Sequence, residues 1–138
     1  MANLYPYLRF NGKAREALEF YKDCLNGELK LQTVGDSPAA ANMPPETHSG
    51  IIHGELRAGD VTLMASDKFN PAESTSGAAI SLCLVCSSPE EVKTLYNTFL
   101  RGAKSSGPLK EEFFGTFGDV TDKYGMTWMF QYSANPMM

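Results

Sequence analysis

A histidine and a glutamate stand two positions apart in this chain, at His53 and Glu55. Residues two apart in a β-strand lie on the same face, and a nearby carboxylate can hold a histidine in its charged form. The pair could therefore transfer protons as an acid–base couple in catalysis, or it could be an ion pair on the surface of a hairpin. From the sequence we favour a structural or binding role over a catalytic one.

Near the start of the chain, Tyr5, Tyr7 and Arg9 occupy alternate positions, so in a strand they would share one face. Two aromatic rings beside a guanidinium could bind an aromatic or an anionic ligand. Arg9 could equally pair with Glu55. The spacing indicates a binding face without fixing its ligand.

Two cysteines, Cys83 and Cys86, have the spacing of a redox or zinc motif. They adjoin a run at Ala79–Val85 that reads as a strand, and strand residues three apart point to opposite faces, so the two sulfurs would not share a metal. With Cys24 the count is odd and the surroundings are apolar, which indicates reduced core thiols in a reducing compartment. We therefore expect a cytoplasmic protein.

The elements that position these residues follow the same order twice. In the first half we expect a strand at Leu4–Phe10, a helix at Ala14–Leu25, a strand at Glu28–Val34, a long loop, and a hairpin that pairs Ile51–Ala58 with Val61–Ser66. In the second half we expect a strand at Ala79–Val85, a helix capped by Ser88 and ending at Arg101-Gly102, a stretch containing Gly, Ser and Pro, a phenylalanine-rich segment at Phe113–Phe117, and a last strand at Met126–Tyr132.

The two helical segments also match residue by residue. Four pairs are separated by the same offset of 75 positions: Glu16 and Glu91, Tyr21 and Tyr96, Leu25 and Leu100, Gly27 and Gly102. Such a repeat indicates an internal duplication in which each half has a strand, a helix and three strands. The sequence therefore predicts an α+β fold in a single domain over residues 1–138, made of two βαβββ modules at residues 1–70 and 77–138.

Composition excludes several partners. The chain has 138 residues, of which 43% are hydrophobic and 20% charged, as expected for one compact domain. A net charge of -4 and scattered Lys and Arg residues argue against binding to nucleic acid. No basic N-terminal stretch leads into an apolar run, and no segment approaches the roughly 20 apolar residues that span a bilayer. We expect no membrane partner.

Two motifs carry a family resemblance. The segment Asn3–Phe10, of sequence NLYPYLRF, leads into the helix, and the segment Asp122–Trp128, of sequence DKYGMTW, stands near the end. Together they resemble the PhnB-like branch of the vicinal oxygen chelate superfamily, which includes glyoxalase I, extradiol dioxygenases and bleomycin-resistance proteins. The resemblance implies paired βαβββ modules whose curled sheets surround a shared cavity, usually in a homodimer.

The resemblance also implies where a metal would bind. Metal-dependent members place a His or Gln, a second His and two Glu on four strands, and these places fall here near Tyr5, Met64 (or Leu63), Ala79 and Met129. A divalent ion needs three or four converging N or O donors, which a phenol and two thioethers do not supply. We therefore expect no metal and no cofactor.

Members of this branch are often labelled demethylubiquinone methyltransferases. A methyl donor ordinarily binds at a Gly-rich turn between a strand and a helix, and the turn at Phe10–Lys13 has a single glycine. The sequence therefore disfavours methyl transfer.

Strand alternation separates a packing face from a cavity face. We expect Leu4, Leu8, Phe10, Ile80, Leu82, Leu84, Trp128 and Phe130 to pack against the helices. The predicted ligand-binding residues are Tyr5, Tyr7, Arg9, His53, Met64, Ser81, Phe114, Phe117, Met129 and Gln131. The alternative is a filled barrel in which these polar groups satisfy one another.

A lining of aromatic rings, thioethers and a few polar groups is typical of a site for a small molecule. We therefore expect metal-independent binding of a small organic molecule, apolar or aromatic, with one polar or anionic group. The alternative is a metal-independent isomerase or lyase that uses His53 with Glu55. Whether the ligand is turned over stays open at this point.

Overall fold

The computed structural model describes residues 4–69, 80–112 and 115–133. The chain divides into two compact units, Met1–Thr75 and Ser76–Met138. Each unit holds one four-stranded sheet and one long helix. The predicted α+β class is confirmed in both.

The first unit consists of β1 (Tyr7–Phe10), α1 (Ala14–Leu25), β2 (Glu28–Thr33), β3 (Ile51–Ala58) and β4 (Val61–Asp67). Two short 3₁₀ turns, Pro38–Asn42 and Pro45–Thr47, lie in the loop between β2 and β3. The strand order is β1-β4-β3-β2, with β1 parallel to β4 and the other pairs antiparallel.

The second unit repeats this topology. It consists of β5 (Leu82–Cys86), α2 (Pro89–Phe99), β6 (Ser105–Glu112), β7 (Gly115–Thr121) and β8 (Thr127–Tyr132). Its strand order is β5-β8-β7-β6, and β5 is parallel to β8. The order of one strand, one helix and three strands is therefore the same in both units.

In the first unit, α1 covers one face of the sheet. Leu18 and Tyr21 of the helix are fully buried, as are Leu56 and Ala65 of the sheet. At Gly54 a Cβ atom would overlap the Leu18 side chain, so glycine permits the helix to lie this close to β3. Burial of these apolar side chains holds the helix on the sheet.

Aromatic rings fill the equivalent core of the second unit. The Phe99 ring of α2 lies 4.7 Å from Trp128 and 5.3 Å from Phe130, measured between ring centroids. Tyr96 packs edge-on against Phe130, and its hydroxyl donates a hydrogen bond to the Gly107 carbonyl at 2.8 Å. As predicted, Trp128 and Phe130 are buried on the face that meets the helix.

The two helices begin in different ways. The Ser88 hydroxyl accepts a hydrogen bond from the Glu91 amide at 3.0 Å, which confirms the predicted cap of α2. At α1 the capping position is Lys13, whose side chain makes no such bond. Instead the buried Asp67 at the end of β4 accepts bonds from the amides of Ala14 and Ile51, both at 2.9 Å. One carboxylate thus joins the start of the helix, the start of β3 and the end of β4.

Two strands are shorter than predicted at their first residues. β1 begins at Tyr7, and Leu4, expected to pack, is 96% exposed. Pro6 has no amide hydrogen to donate to a ladder, although its carbonyl accepts from the Met64 amide. Likewise β5 begins at Leu82, and Ile80, also expected to pack, is 76% exposed. Both packing assignments are wrong because these residues precede the paired part of their strands.

The local sequence does not predict β6. This strand carries Gly107 and Pro108, which are typical of turns, and its pairing with β7 shifts between Gly107 and Lys110. β6 is an edge strand and pairs only with β7. A proline, which has no amide hydrogen, and irregular pairing are therefore tolerated there, because no further strand requires that hydrogen bond. The adjoining Phe113 and Phe114 lie outside the described residues.

The described residues include no helix that is long and apolar enough to cross a membrane.

We predict that Asp67→Asn lowers the free energy of unfolding by about 2 kcal/mol, because an amide accepts through only one of its two terminal atoms and leaves a buried N–H unpaired. Urea denaturation measures the change. The matched control is Asp23→Asn on the exposed surface of α1, which should shift the free energy of unfolding by less than about 0.5 kcal/mol. Equal effects of the two substitutions would contradict the role given to Asp67.

Candidate functional site

The face of the first sheet that lies opposite α1 carries the candidate residues Tyr7, Arg9, His53, Glu55 and Met64. Ladder register places Tyr7 beside Met64, Met64 beside Glu55, and Glu55 beside Lys30. Residues that pair across a sheet point to the same side, so these side chains form one row across all four strands. We call this surface the polar face and define it by Tyr7, Arg9, Lys30, His53, Glu55, Arg57 and Met64.

Tyr7 and His53 meet on the polar face. The Tyr7 hydroxyl lies 3.3 Å from His53 Nδ1, and the two ring centroids are 5.9 Å apart with the planes tilted by 38°. Tyr7 belongs to β1 and His53 to β3, so the contact passes over β4. Two residues that the sequence predicts for ligand binding are therefore brought together from positions 46 residues apart.

Arg9 lies against the same tyrosine. Its guanidinium carbon is 5.2 Å from the centroid of the Tyr7 ring, which is within range of a cation–π interaction. The positive charge therefore stands beside the tyrosine and near the hydroxyl–imidazole contact. This arrangement joins three of the predicted ligand-binding residues in one cluster.

Glu55 is paired with Arg57. Arg57 Nε donates a hydrogen bond to the Glu55 carboxylate at 2.8 Å. This bond lowers the pKa of Glu55 from its ordinary value against a smaller opposing effect of burial, and the charges of Arg57, His53 and Lys30 lower it further. The same bond raises the pKa of Arg57. Glu55 is therefore a carboxylate held in its charged form by an arginine.

The predicted couple of His53 and Glu55 thus shares a strand face, but each side chain has its own hydrogen-bond partner. His53 contacts Tyr7, and Glu55 contacts Arg57. Arg57 is not among the residues predicted from the sequence, although it lies two positions beyond Glu55 and alternation puts it on the same strand face. A proton-transfer role for the couple stays a prediction.

Tyr5 and Met64 border this cluster. Tyr5 precedes β1 and is 38% exposed. Met64 pairs with Tyr7 in the ladder and is half-buried. A phenol ring and a thioether therefore supply apolar surface next to the charged groups.

Further predicted ligand residues lie in the second unit. Met129 pairs with Cys83, and Gln131 pairs with both Phe117 and Val85, so these residues lie on the sheet face opposite α2. Ser81 is exposed just before β5, and Phe114 lies outside the described residues. Val85, which sequence reasoning missed, is 74% exposed on this face. Asp119 pairs with Met129 and Lys110 with Phe117, so this face carries charged as well as apolar side chains.

The cysteine pair has the predicted geometry. Cys83 is exposed and Cys86 is buried, in agreement with opposite faces of one strand. Burial, followed by the charges of Glu91 and Cys83, raises the pKa of Cys86 to about 11, which keeps that thiol protonated and unreactive. The expectation that all three cysteines are core residues is wrong for Cys83, because it lies on the strand face opposite the helix.

The residues at the metal positions of the superfamily do not fit a divalent ion. Within the described parts of the chain, no three residues among His, Cys, Asp and Glu come together as a ligand set. Met64 and Met129 offer thioethers, Tyr5 offers a phenol, and Ala79 lies outside the described residues. Hard cations prefer carboxylate or imidazole ligands, so this donor set does not suit them.

The second histidine, His48, has a structural role. His48 Nε2 lies 3.1 Å from the carbonyl oxygens of both Ala40 and Met43, so its N–H donates to the loop between β2 and β3.

A hollow of about 700 Å³ lies between this loop and the first turn of α1, and Asp67 is one of the residues that line it. Both Asp67 oxygens accept amide hydrogen bonds, so that carboxylate has a structural role.

Comparison with known proteins gives a family match over nearly the whole chain. Residues 2–131 match the protein family described as 3-demethylubiquinone-9 3-methyltransferase. Protein YjdN of Escherichia coli (strain K12) is 31% identical over 138 residues, which cover 91% of this chain and 92% of YjdN. The crystal structure of protein PA1353 from Pseudomonas aeruginosa is 34% identical, with a TM-score of 0.83 over 96% of this chain and 98% of that one.

More distant structures share the fold. The PhnB protein from Bacillus cereus, described as a putative 3-demethylubiquinone-9 3-methyltransferase, is 24% identical with a TM-score of 0.77 over 96% of this chain and all of its own. A bleomycin-binding protein in complex with bleomycin is 14% identical with a TM-score of 0.59 over 96% of this chain and 99% of its own. At these identities the likeness concerns the fold alone.

Proposed function

This chain belongs to the PhnB-like branch of the vicinal oxygen chelate superfamily, and on that premise we propose that its polar face binds a small organic molecule without a metal ion. One observation carries the proposal: Tyr7, His53 and Arg9 converge on a sheet face that the helix of their own unit does not cover. Polar groups that converge beside an aromatic ring are typical of a binding site for a small molecule.

The chemistry of the polar face favours an apolar or aromatic ligand with one polar or anionic group. Tyr5, Tyr7 and Met64 offer rings and a thioether that can bury apolar surface. Glu55 is hydrogen-bonded to Arg57, and the cations Arg9 and Lys30 lie on the same face. The fold is also compatible with an organic ligand, since the bleomycin-binding protein of the same fold is in complex with bleomycin.

The second unit also holds residues that the sequence predicts for ligand contact. Ser81, Phe114, Phe117, Met129 and Gln131 remain predictions for ligand contact. Metal independence is supported by the resemblance, which implies that Met64 (or Leu63) and Met129 occupy positions where metal-dependent members carry carboxylates or imidazoles. We also propose a reducing, cytoplasmic location, supported by three cysteines that are free thiols.

Binding is favoured over methyl transfer. A methyl donor ordinarily binds a doubly wound parallel sheet with a Gly-rich turn. The described elements of this chain form two mixed four-stranded sheets, and the turn from β1 to α1 contains Gly12 as its single glycine. The family's description is therefore weaker support for function than the chemistry of the polar face.

A metal-independent isomerase or lyase that uses His53 with Glu55 is the alternative. The charge of His53 lowers the pKa of Glu55, so the two groups interact electrostatically. The Glu55 carboxylate is nevertheless hydrogen-bonded to Arg57, which keeps it in its charged form and makes it a weak proton acceptor. Replacement of His53 by alanine distinguishes the two functions, because an enzyme would lose turnover by orders of magnitude.

We predict that aromatic carboxylic acids raise the melting temperature more than nucleotides or sugars do. A ligand at 100 times its Kd stabilises the folded state by about 2.7 kcal/mol, which corresponds to a rise of about 10 °C for a chain of this size. Thermal-shift screening with aromatic carboxylic acids, nucleotides and sugars measures the rise in melting temperature that each class causes.

His53→Ala should raise the Kd of the compound that binds most tightly about tenfold, because one hydrogen bond is lost. The control is Lys93→Ala at an exposed position of α2, which should leave this Kd unchanged. Stabilisation by nucleotides or sugars alone would contradict the assigned ligand class.

We further propose that the chain forms a homodimer. β1 and β5 are edge strands of their sheets, and exposed apolar residues lie on or next to each of them, at Leu4, Ile80 and Val85. Edge strands with exposed apolar side chains are commonly covered by a second chain.

Light scattering at micromolar concentration is predicted to give about 30 kDa, twice the chain mass of 15.1 kDa. A single stable species with the mass of one chain would rule out the dimer.

A further inference from the structure

The hydrogen bond between Tyr7 and His53 uses only one edge of the imidazole. Nδ1 faces the Tyr7 hydroxyl at 3.3 Å, and Nε2 has no hydrogen-bond partner among residues 4–69, 80–112 and 115–133. In the neutral ring one nitrogen carries the proton and the other accepts, and the partner of one nitrogen sets the state of the other. Which of the two groups donates in this contact therefore decides whether Nε2 carries a hydrogen and donates, or carries a lone pair and accepts.

A phenol is the better donor of the two groups. A phenol O–H is a good hydrogen-bond donor, whereas an imidazole nitrogen without a hydrogen carries an in-plane lone pair and acts only as an acceptor. The Tyr7 O–H therefore donates to Nδ1, and Nδ1 carries no hydrogen when the ring is neutral. The proton of neutral His53 is then on Nε2.

We infer that Tyr7 is a positioning residue that holds His53 in the Nε2-protonated tautomer, so that His53 presents an N–H donor on the polar face. This inference rests on the proposed function and narrows its ligand class. The group that meets His53 is an oxygen acceptor, such as a carboxylate or a ketone carbonyl. A ligand whose polar group is only a donor, such as an amidine, would leave this N–H unpaired.

The neighbouring contacts agree with an acceptor ligand. The Arg9 guanidinium lies over the Tyr7 ring, so a positive charge stands beside the residue that contacts His53. The Glu55 carboxylate, the negative group closest in the strand, is hydrogen-bonded to Arg57 and partly neutralised by it. The cluster thus combines a neutral N–H donor with a nearby cation, and this combination suits a carboxylate.

Nitrogen NMR of the histidine side chains tests the tautomer directly, without a ligand. The chain has two histidines, and His48 is an internal reference because its Nε2–H donates to backbone carbonyls. At about pH 8.5, where ordinary imidazoles are neutral, we expect His53 to show an unprotonated Nδ1 and a protonated Nε2, as His48 does. A protonated Nδ1 on His53 would overturn the inference.

Two variants separate the effect of Tyr7 from the intrinsic preference of the ring. Tyr7→Phe removes the hydroxyl at an exposed position where folding is preserved, and we expect His53 to show a mixture of both tautomers. Tyr124→Phe, in the turn between β7 and β8 of the second unit, is the control and should leave the His53 signals unchanged. If Tyr7→Phe has no effect on the tautomer, Tyr7 is not the positioning residue and the inference fails.

Benzoate and benzamidine form a matched pair of ligand probes, one an acceptor and the other a donor. We expect benzoate to shift the His53 Nε2–H resonance, to bind more tightly than benzamidine, and to lose about tenfold in affinity in Tyr7→Phe. Preference for benzamidine would overturn the inferred ligand class. If neither probe nor any screened compound binds while the tautomer is as expected, the proposed function fails and the positioning role of Tyr7 stands.

Discussion

The polar face depends on the parallel pairing of β1 with β4. This ladder sets Tyr7 opposite Met64, and the antiparallel ladder beyond it sets Met64 opposite Glu55. Because side chains alternate along a strand, a shift of one residue in the first ladder would turn Tyr7 toward the helix, and the same shift in the second would turn His53 toward it. Either shift would separate the two side chains. The register is held at both ends of β1, where Pro6 accepts from the Met64 amide and Phe10 accepts from the Lys68 amide.

Asp67 extends this constraint into the helix. It pairs with Phe10 in the ladder, and its carboxylate also accepts from Ala14 at the start of α1 and from Ile51 at the start of β3. A buried carboxylate with two amide donors has little freedom to move. The strand that carries Tyr7, the strand that carries His53 and the helix on the other face are thereby held in one arrangement.

Local features of the sequence predicted much of this structure. The helix at Ala14–Leu25 has its predicted limits, and Ser88 caps the second helix as expected, because both depend on residues close in sequence. Alternation correctly separated buried Trp128 from half-buried Met129. The contact between Tyr7 and His53 could not be predicted, because it depends on the register of two ladders. The capping of α1 by Asp67 likewise joins residues 53 positions apart.

The central claim is that the polar face binds its organic ligand without a metal. Calorimetric titration of protein dialysed against a chelator tests it directly, with the aromatic acid that stabilises the protein most. The account predicts binding of one ligand per chain with a Kd that added zinc, nickel or iron leaves unchanged. Binding that disappears after chelation and returns with one of these metals would contradict it.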